Sequence, residues 1–404
     1  MQAAYKHATK VTSQIYFCAS PIRLDAYNRC QFGCVYCFSR QRAINTSDQG
    51  VRRASTNAFS ARMKRVSEGK INSVLDEFLQ QRVPIQLGGM QDPFSNWEAR
   101  YETTLDLLKT LKSYNYPTMI STKGRLFCDD PYISILSSGN FFVRISAAGI
   151  SEKYREKIDY RCDSFSKTLT KIEKLAKFGI PTSLRIQPII PGFEEDAVRM
   201  AQKAYSAGAS HVSFEFLKLP MERRSEIGKE ISDVIGWDLE GHMASKGMKR
   251  LGPDYTLDVG HKLKFLIYAK RQLAKIKIGA GDTELIHLSD GGGCCNGSGL
   301  FLENANQFSA NLTGILSGRD EIEEVRFSSL NTHWAPSGNV HQYLTTDSRT
   351  RDMSGNFSDW LSLIAHRWNG KKGPYSPMLF AGVSETEKID SDGFKIYKYA
   401  SPIL

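Results

Sequence analysis

From residue 71 to residue 217, segments with helical spacing alternate with short β-like runs, and this alternation limits the fold more than any other feature of the chain. Ile71, Val74, Leu75, Phe78 and Leu79 fall on one helical face, and Ile85, Gln86 and Leu87 follow as a short strand ending in Gly88-Gly89. Residues 98–114 read as a second helix with Leu105, Leu108 and Leu111 on one side, 117–122 as a strand, and 131–137 as a short helix. The series continues with strands at 141–147, 183–190 and 211–217, separated by helices at 168–178 and 194–206. With a first strand at 15–19, this makes six units. Strands joined through helices of this length demand right-handed crossovers and a parallel sheet. Six units are too few for a closed eight-stranded barrel. The expected fold is therefore α/β, a partial (β/α)6 TIM-like barrel with a mixed C-terminal extension, its active site at the C-terminal ends of the strands. The division expected is a core at 1–220 and an extension at 221–404 that caps the core or binds substrate.

Composition narrows the setting. No run of about 18 apolar residues is present, so no membrane span is expected. The first ten residues are polar and lack a secretory pattern, which points to the cytoplasm. Eight cysteines in 404 residues are too few for a disulfide scaffold. The formal charge of +10 favours an anionic partner without specifying any chemistry.

Three of the cysteines, Cys30, Cys34 and Cys37, stand in the spacing C-x3-C-x2-C. Three thiolates on one loop can bind three irons of a [4Fe–4S] cluster and leave the fourth iron open. Gly33 permits a positive φ or a close approach of another backbone. A structural zinc site would need a fourth ligand, and no histidine lies between His7 and His211.

This spacing, with the aromatic Tyr36 just before the last cysteine, resembles the radical S-adenosyl-L-methionine (SAM) superfamily. The resemblance implies a [4Fe–4S] cluster on Cys30, Cys34 and Cys37, and SAM bound at its open iron. By the same resemblance, Tyr36 and the backbone at Phe38 contact the adenine, and Gly88-Gly89 binds the methionine amino group. Lys123 would pair with the SAM carboxylate and Ser146 would reach the ribose or carboxylate. Arg185 would face the site, and the run around Ile189 resembles the fifth-strand adenine segment. A tight turn at Gly88-Gly89, a surface lysine and a structural ion pair at Arg185 are the plainer readings. Within the superfamily the sequence is similar to the spore photoproduct lyase-like group, through Met90-Gln91-Asp92-Pro93, Thr122-Lys123 and Ile189-Ile190-Pro191-Gly192. It departs from that group at Gly89, where the lyase carries a hydrogen-donating cysteine, and at Phe38, where it carries a tyrosine. The implied partner is a flavodoxin or ferredoxin-like electron donor.

Outside that core, residues 290–299 place Cys294 and Cys295 among five glycines. Such a loop presses against a ligand or another backbone. Its thiols are candidate catalytic hydrogen donors; a tight turn with inert thiols, or a second cluster with Cys18, Cys128 or Cys162, are the alternatives. Two basic stretches complete the picture. Residues 39–65 carry Arg40, Arg42, Arg52, Arg53, Arg62, Lys64 and Arg65 against Asp48 alone, and 259–281 carry six cations and no acid. With Tyr36, Phe38 and Phe94 as stacking surfaces, they suggest a nucleobase or nucleotide substrate, free or in a nucleic acid. A solvated charged face explains them as well. A peptide or small metabolite is the second substrate class, and a non-catalytic nucleic-acid-binding module with a structural metal is the reading from another class.

Overall fold

A computed structural model describes residues 5, 8–12, 14–37, 39, 50–318, 323–338, 357, 359–372 and 375–402. Its main sheet has eight strands: β1 (Thr9–Val11), β2 (Ile22–Leu24), β3 (Ile85–Leu87), β4 (Thr118–Thr122), β5 (Phe141–Gly149), β6 (Thr182–Ile189), β7 (His211–Phe216) and, after three strands of a smaller sheet, β11 (Lys277–Ala280). They pair in that order, all parallel except for antiparallel β1, and β1 and β11 remain as edges. The sheet is open, a partial barrel as expected, but it has eight strands rather than six, because antiparallel β1 and parallel β11 add to the units read from the sequence. Small antiparallel sheets are formed by β8 (Leu219–Pro220), β9 (Lys249–Leu251) and β10 (Asp254–Thr256), and by β12 (Glu323–Val325), β13 (Val383–Ile389) and β14 (Lys395–Tyr399).

The helices that connect the strands are amphipathic. In α1 (Thr56–Ser67) Phe59, Met63 and Val66 are buried, and after α2 (Val74–Gln80) the chain enters β3. The single helix expected at 98–114 is two, α3 (Asn96–Tyr101) and α4 (Thr103–Ser113), broken where Glu102 turns left-handed at φ 49°. Fully buried Glu98 explains the break. Its carboxylate accepts from the amides of Thr104 (2.8 Å) and Leu105 (2.9 Å), capping the new first turn, and from the hydroxyls of Tyr27 and Tyr132. Next come α5 (Tyr132–Ser137), α6 (Glu152–Ile158), α7 (Phe165–Lys177) and α8 (Glu194–Ser206). Burying Ile172 and Leu175 of α7 contributes about 1.5–3 kcal/mol each. Beyond β7 lie α9 (Arg224–Ile235), α10 (Leu239–Ser245), α11 (Val259–Gln272), α12 (Ser298–Phe301) and α13 (Trp360–Trp368).

The first parallel strand, β2, lies at Ile22–Leu24, later than the apolar run at 15–19 suggests. Tyr16 and Phe17 are buried, but in a turn, where their rings meet Trp360 and Tyr375 at 5.3 Å each. Long-range aromatic packing, not strand pairing, accounts for that run.

Register defines the inner face. Ser121, Arg144, Ser183 and His211 lie in one row across β4 to β7, and Ser146, Arg185, Ser213 and Gly279 form the next row toward the C-terminal ends. Toward the N-terminal ends, Met119 and Phe142 pack with Leu302, and Phe142 stacks on Phe301 at 4.8 Å. Residues 298–302 therefore cover that end of the sheet.

His211 is fully buried, with Nδ1 2.8 Å from Ser183 Oγ and Nε2 unpartnered. Burial, opposed by the charge of Asp290 and assisted by that of Arg144, lowers its pKa to about 3. A histidine kept neutral in the fold favours the folded state fully above its unfolded pKa of about 6.5 and progressively less below it. The expected cost is about 1.4 kcal/mol per pH unit from pH 6.5 toward 3. Urea unfolding at pH 6.5 and pH 5 will show that component missing from a His211→Gln variant; equal slopes would contradict it.

Candidate active site

Cys30, Cys34 and Cys37 lie on an irregular loop between β2 and α1. The loop is stitched to the end of α6 by Gly33 N to Tyr160 O (3.2 Å) and Val35 N to Ile158 O (3.1 Å). Gly33 is there for close approach: a β-carbon would sit 2.7 Å from the Tyr160 ring. Gln31 Oε1 accepts from the Asn96 amide (2.8 Å), fixing the loop to α3. All eight cysteines are free thiols. Burial, with the charge of Asp92 nearby, pushes the Cys30 thiol up to about 12. Cys34 moves downward, through a hydrogen bond from Cys162 that outweighs burial, assisted by Lys123. Phe38, Arg40 and Arg42 lie outside the described residues.

Tyr36, Lys123 and Ser146 come together around a residue that the sequence did not single out. Asp159 accepts from the Tyr36 hydroxyl, from Lys123 Nζ (3.0 Å) and from the Ala148 amide (2.9 Å). Lys123 Nζ also donates to the Ser146 carbonyl (3.2 Å) and lies 5.8 Å from the Tyr36 ring centroid. Burial works against both charges. Asp159 nonetheless stays below the usual carboxylate range because Lys123, Tyr36 and Ala148 outweigh it, and Lys123 is held above its ordinary value chiefly by Asp159. No spacing rule links residue 159 to residues 36 and 123, so only the fold could reveal it.

Gly88 has φ 86°, and a β-carbon there would meet the Ser121 carbonyl at 2.5 Å and Pro93 at 2.6 Å. The turn it opens wraps buried Asp25, which accepts from the amides of Met90 (2.8 Å) and Gln91 (3.2 Å) and lies 3.3 Å from Arg23. Gly89 packs on the Arg23 side chain. Asp92 ties this turn to the end of β4 by accepting from Phe94 N and Thr122 Oγ1, both at 2.9 Å. Arg185 faces Glu215 at 3.6 Å, and Glu215 is shared with Lys218. Ile189 is fully buried against Gly149, and its carbonyl accepts from Leu217 N (3.0 Å), so its side chain belongs to the core. Phe94 is also core, 5.5 Å from Phe127 and 5.4 Å from Tyr132.

The glycine-rich loop enters the inner face. Gly291, Gly292, Gly293 and Gly297 all have positive φ, and the Cys295 carbonyl lies so close to Gly279 that no side chain fits there. Arg144, fully buried, donates to Ser121 Oγ and to Asn296 Oδ1, and burial together with Arg185 lowers its pKa to about 9. The two thiols differ. Cys294 is buried and accepts from Ser298 Oγ (3.0 Å), whereas Cys295 is half-buried and donates to Asn296 Oδ1 (3.3 Å). Burial, then Cys294 and Cys18, raise the Cys295 thiol, and Arg144 and Arg185 act against them. Among the described residues, the grouped potential metal ligands are Cys34, Asp159 and Cys162; Cys18, Cys294 and Cys295 form no such group.

Much of the positive charge is spent internally. Arg62 and Arg65 pair with buried Asp76 at 3.6 and 2.8 Å, Lys262 is fully buried between Asp282 (3.1 Å) and Glu284 (3.2 Å), and Lys270 pairs with Asp290 (3.2 Å). The cations beside the cluster loop are others. Lys123, Arg125 and Arg161 line a cleft of about 450 Å³ with Gln31, Phe32 and Phe94, and both arginines are exposed.

Residues 25–204 match the family model of the radical SAM superfamily. No curated protein matches the chain. Among solved structures, spore photoproduct lyase complexed with dinucleoside spore photoproduct aligns with a TM-score of 0.50 at 15% identity, over 69% of this chain and 79% of that one. Streptococcus suis SuiB bound to precursor peptide SuiA aligns with a TM-score of 0.35 at 13% identity, over 55% of this chain and 47% of that one. At such identities the lyase alignment speaks for the fold, which is the open α/β sheet described above. No described helix is long and apolar enough to cross a membrane. Residues 25–204 form a radical SAM domain, of the superfamily of enzymes that work with a [4Fe–4S] cluster and SAM.

Proposed function

We propose that Cys30, Cys34 and Cys37 hold the cluster and that Tyr36, Gly88, Gly89, Lys123 and Ser146 form the SAM site, in a core spanning 1–220 to which β11 of the extension adds an edge strand. The observation that carries this reading is the meeting of Tyr36, Lys123 and Ser146 around Asp159, beside Cys34. The donor set fits: three free thiols stand on one loop, and Asp159, the oxygen ligand nearest Cys34, is already engaged by Tyr36, Lys123 and Ala148. Bound together and reduced, the cluster and SAM supply a 5′-deoxyadenosyl radical that takes a hydrogen atom from the substrate. The protein's share is to orient the two groups and keep water from the radical. Lys123 offers a fixed ammonium for the SAM carboxylate, and Arg185 a second cation in the Ser146 row. Residues 221–404 act as the capping extension, a role supported by the way 290–302 line and cover the inner face. The electron comes from a flavodoxin or ferredoxin-like donor in the cytoplasm, in keeping with eight unpaired thiols.

The substrate in this reading is a nucleobase or nucleotide, supported by the basic cleft beside the cluster loop. Each neutralised phosphate steepens the fall of affinity with salt by about 0.7 log units per log unit for a single strand. Arg125→Ala combined with Arg161→Ala will weaken oligonucleotide binding and flatten that slope by about 1.4, while SAM cleavage without substrate is kept. Oligonucleotide binding indifferent to both arginines would remove the nucleotide reading and favour a peptide or small metabolite.

Cys295, rather than Cys294, is the hydrogen donor in this reading. Its S–H bond breaks to give a C–H bond on the product radical, and one electron and one proton from the donor protein restore the thiol. Cys295→Ser will keep SAM cleavage and lower the product formed per SAM consumed. An unchanged ratio would assign the thiol to packing.

A further inference from the structure

Cys162 has no part in the function proposed above, yet it stands beside a residue that does. Cys34 Sγ, Cys162 Sγ and an Asp159 carboxylate oxygen all lie within 4.8 Å of one another. The two segments that carry the sulfurs are joined through backbone, by Gly33 N to Tyr160 O and Val35 N to Ile158 O, so the pair stays close whether or not the cysteines hold anything. Cys34 is buried, while Cys162 is half-buried, its sulfur 3.8 Å from the Tyr160 carbonyl.

Three such groups suggest a metal site, but charge argues against it. The Asp159 carboxylate is engaged by Tyr36, Lys123 and Ala148, and the Lys123 ammonium at 3.0 Å opposes a second cation. What remains is a pair of thiols. We propose that, when the cluster is absent, Cys34 and Cys162 close a reversible disulfide that takes Cys34 out of the ligand set and shields it from deeper oxidation. The sulfurs need only move from within 4.8 Å to about 2.05 Å.

The oxidant is a peroxide. One thiol and hydrogen peroxide give a sulfenic acid and water; the second thiol attacks that sulfur, forming the S–S bond and releasing a second water. A dithiol reductant returns two electrons and two protons and restores both thiols. The consequence for the cluster rests on the assignment of Cys34 as a ligand; the disulfide itself does not.

The test uses the full chain, stripped of metal by chelation under reducing conditions, desalted anaerobically and treated with one equivalent of hydrogen peroxide. After acid quenching, alkylation and digestion, mass spectrometry will find a peptide linking Cys34 to Cys162, and the thiol count will fall from eight to about six. Dithiol reduction will reverse both changes. Cys162→Ser will give no such peptide, and after excess peroxide followed by dithiol reduction it will regain less iron and sulfide than the wild type, because its Cys34 is open to oxidation beyond the sulfenic acid. Cys34 linked instead to Cys30 or Cys37, or Cys162 left as a free thiol, would overturn the proposal. Failure of reduced wild type to take up iron and sulfide would instead count against the cluster assignment and leave the cross-link result standing.

Discussion

Cys34→Ala, reconstituted anaerobically beside the wild type, will lose the four-iron spectrum and cut 5′-deoxyadenosine formation by more than about 100-fold, beyond the 10–100-fold that loss of a merely supporting partner costs. Cys34 is the most deeply buried of the three cysteines and the one nearest Asp159 and Lys123. Cys30→Ala and Cys37→Ala will behave alike, because two thiolates cannot replace three. Cys162→Ala, one sulfur away, will keep the spectrum. Product chromatography and EPR together check this, and equal 5′-deoxyadenosine yields from wild type and Cys34→Ala would contradict it.

Lys123→Met will act on stability and on chemistry at once, and the two can be separated. Removing the ammonium leaves the Asp159 carboxylate buried with only Tyr36 and Ala148, a loss of about 3–5 kcal/mol for breaking a buried pair. The double change Lys123→Met with Asp159→Asn removes both charges, so most of that stability will return. SAM cleavage will not return with it if Lys123 also faces the SAM carboxylate. Recovery of both in the double variant would make the lysine a structural partner alone. Chemical denaturation and 5′-deoxyadenosine yield are the two readouts.

What the sequence made legible was local. The cysteine spacing, the glycine turn after β3 and most of the alternation of helices and strands are short-range patterns that the structure keeps, although the strand read at 15–19 lies at 22–24 and β11 was not read at all. The break at Glu102 was not legible, because it depends on a carboxylate at Glu98 that also holds tyrosines 71 residues before it and 34 after it. Asp25 and Asp159, which shape the two sides of the site, escaped notice for the same reason: each is one acid among 43 until the fold surrounds it. Charge runs misled in a different way. Lys262, Arg62 and Arg65 read as surface cations, yet each reaches a buried carboxylate through a long side chain. The glycine-rich loop was recognised as unusual, but its insertion against Gly279 and beside Arg144 is a tertiary fact.

The most direct test of the account is a metal and sulfide analysis of anaerobically reconstituted wild-type protein, with SAM turnover followed after dithionite reduction. The account predicts about four irons and four sulfides per chain and formation of 5′-deoxyadenosine and methionine. One zinc per chain, no iron and no SAM cleavage would contradict it.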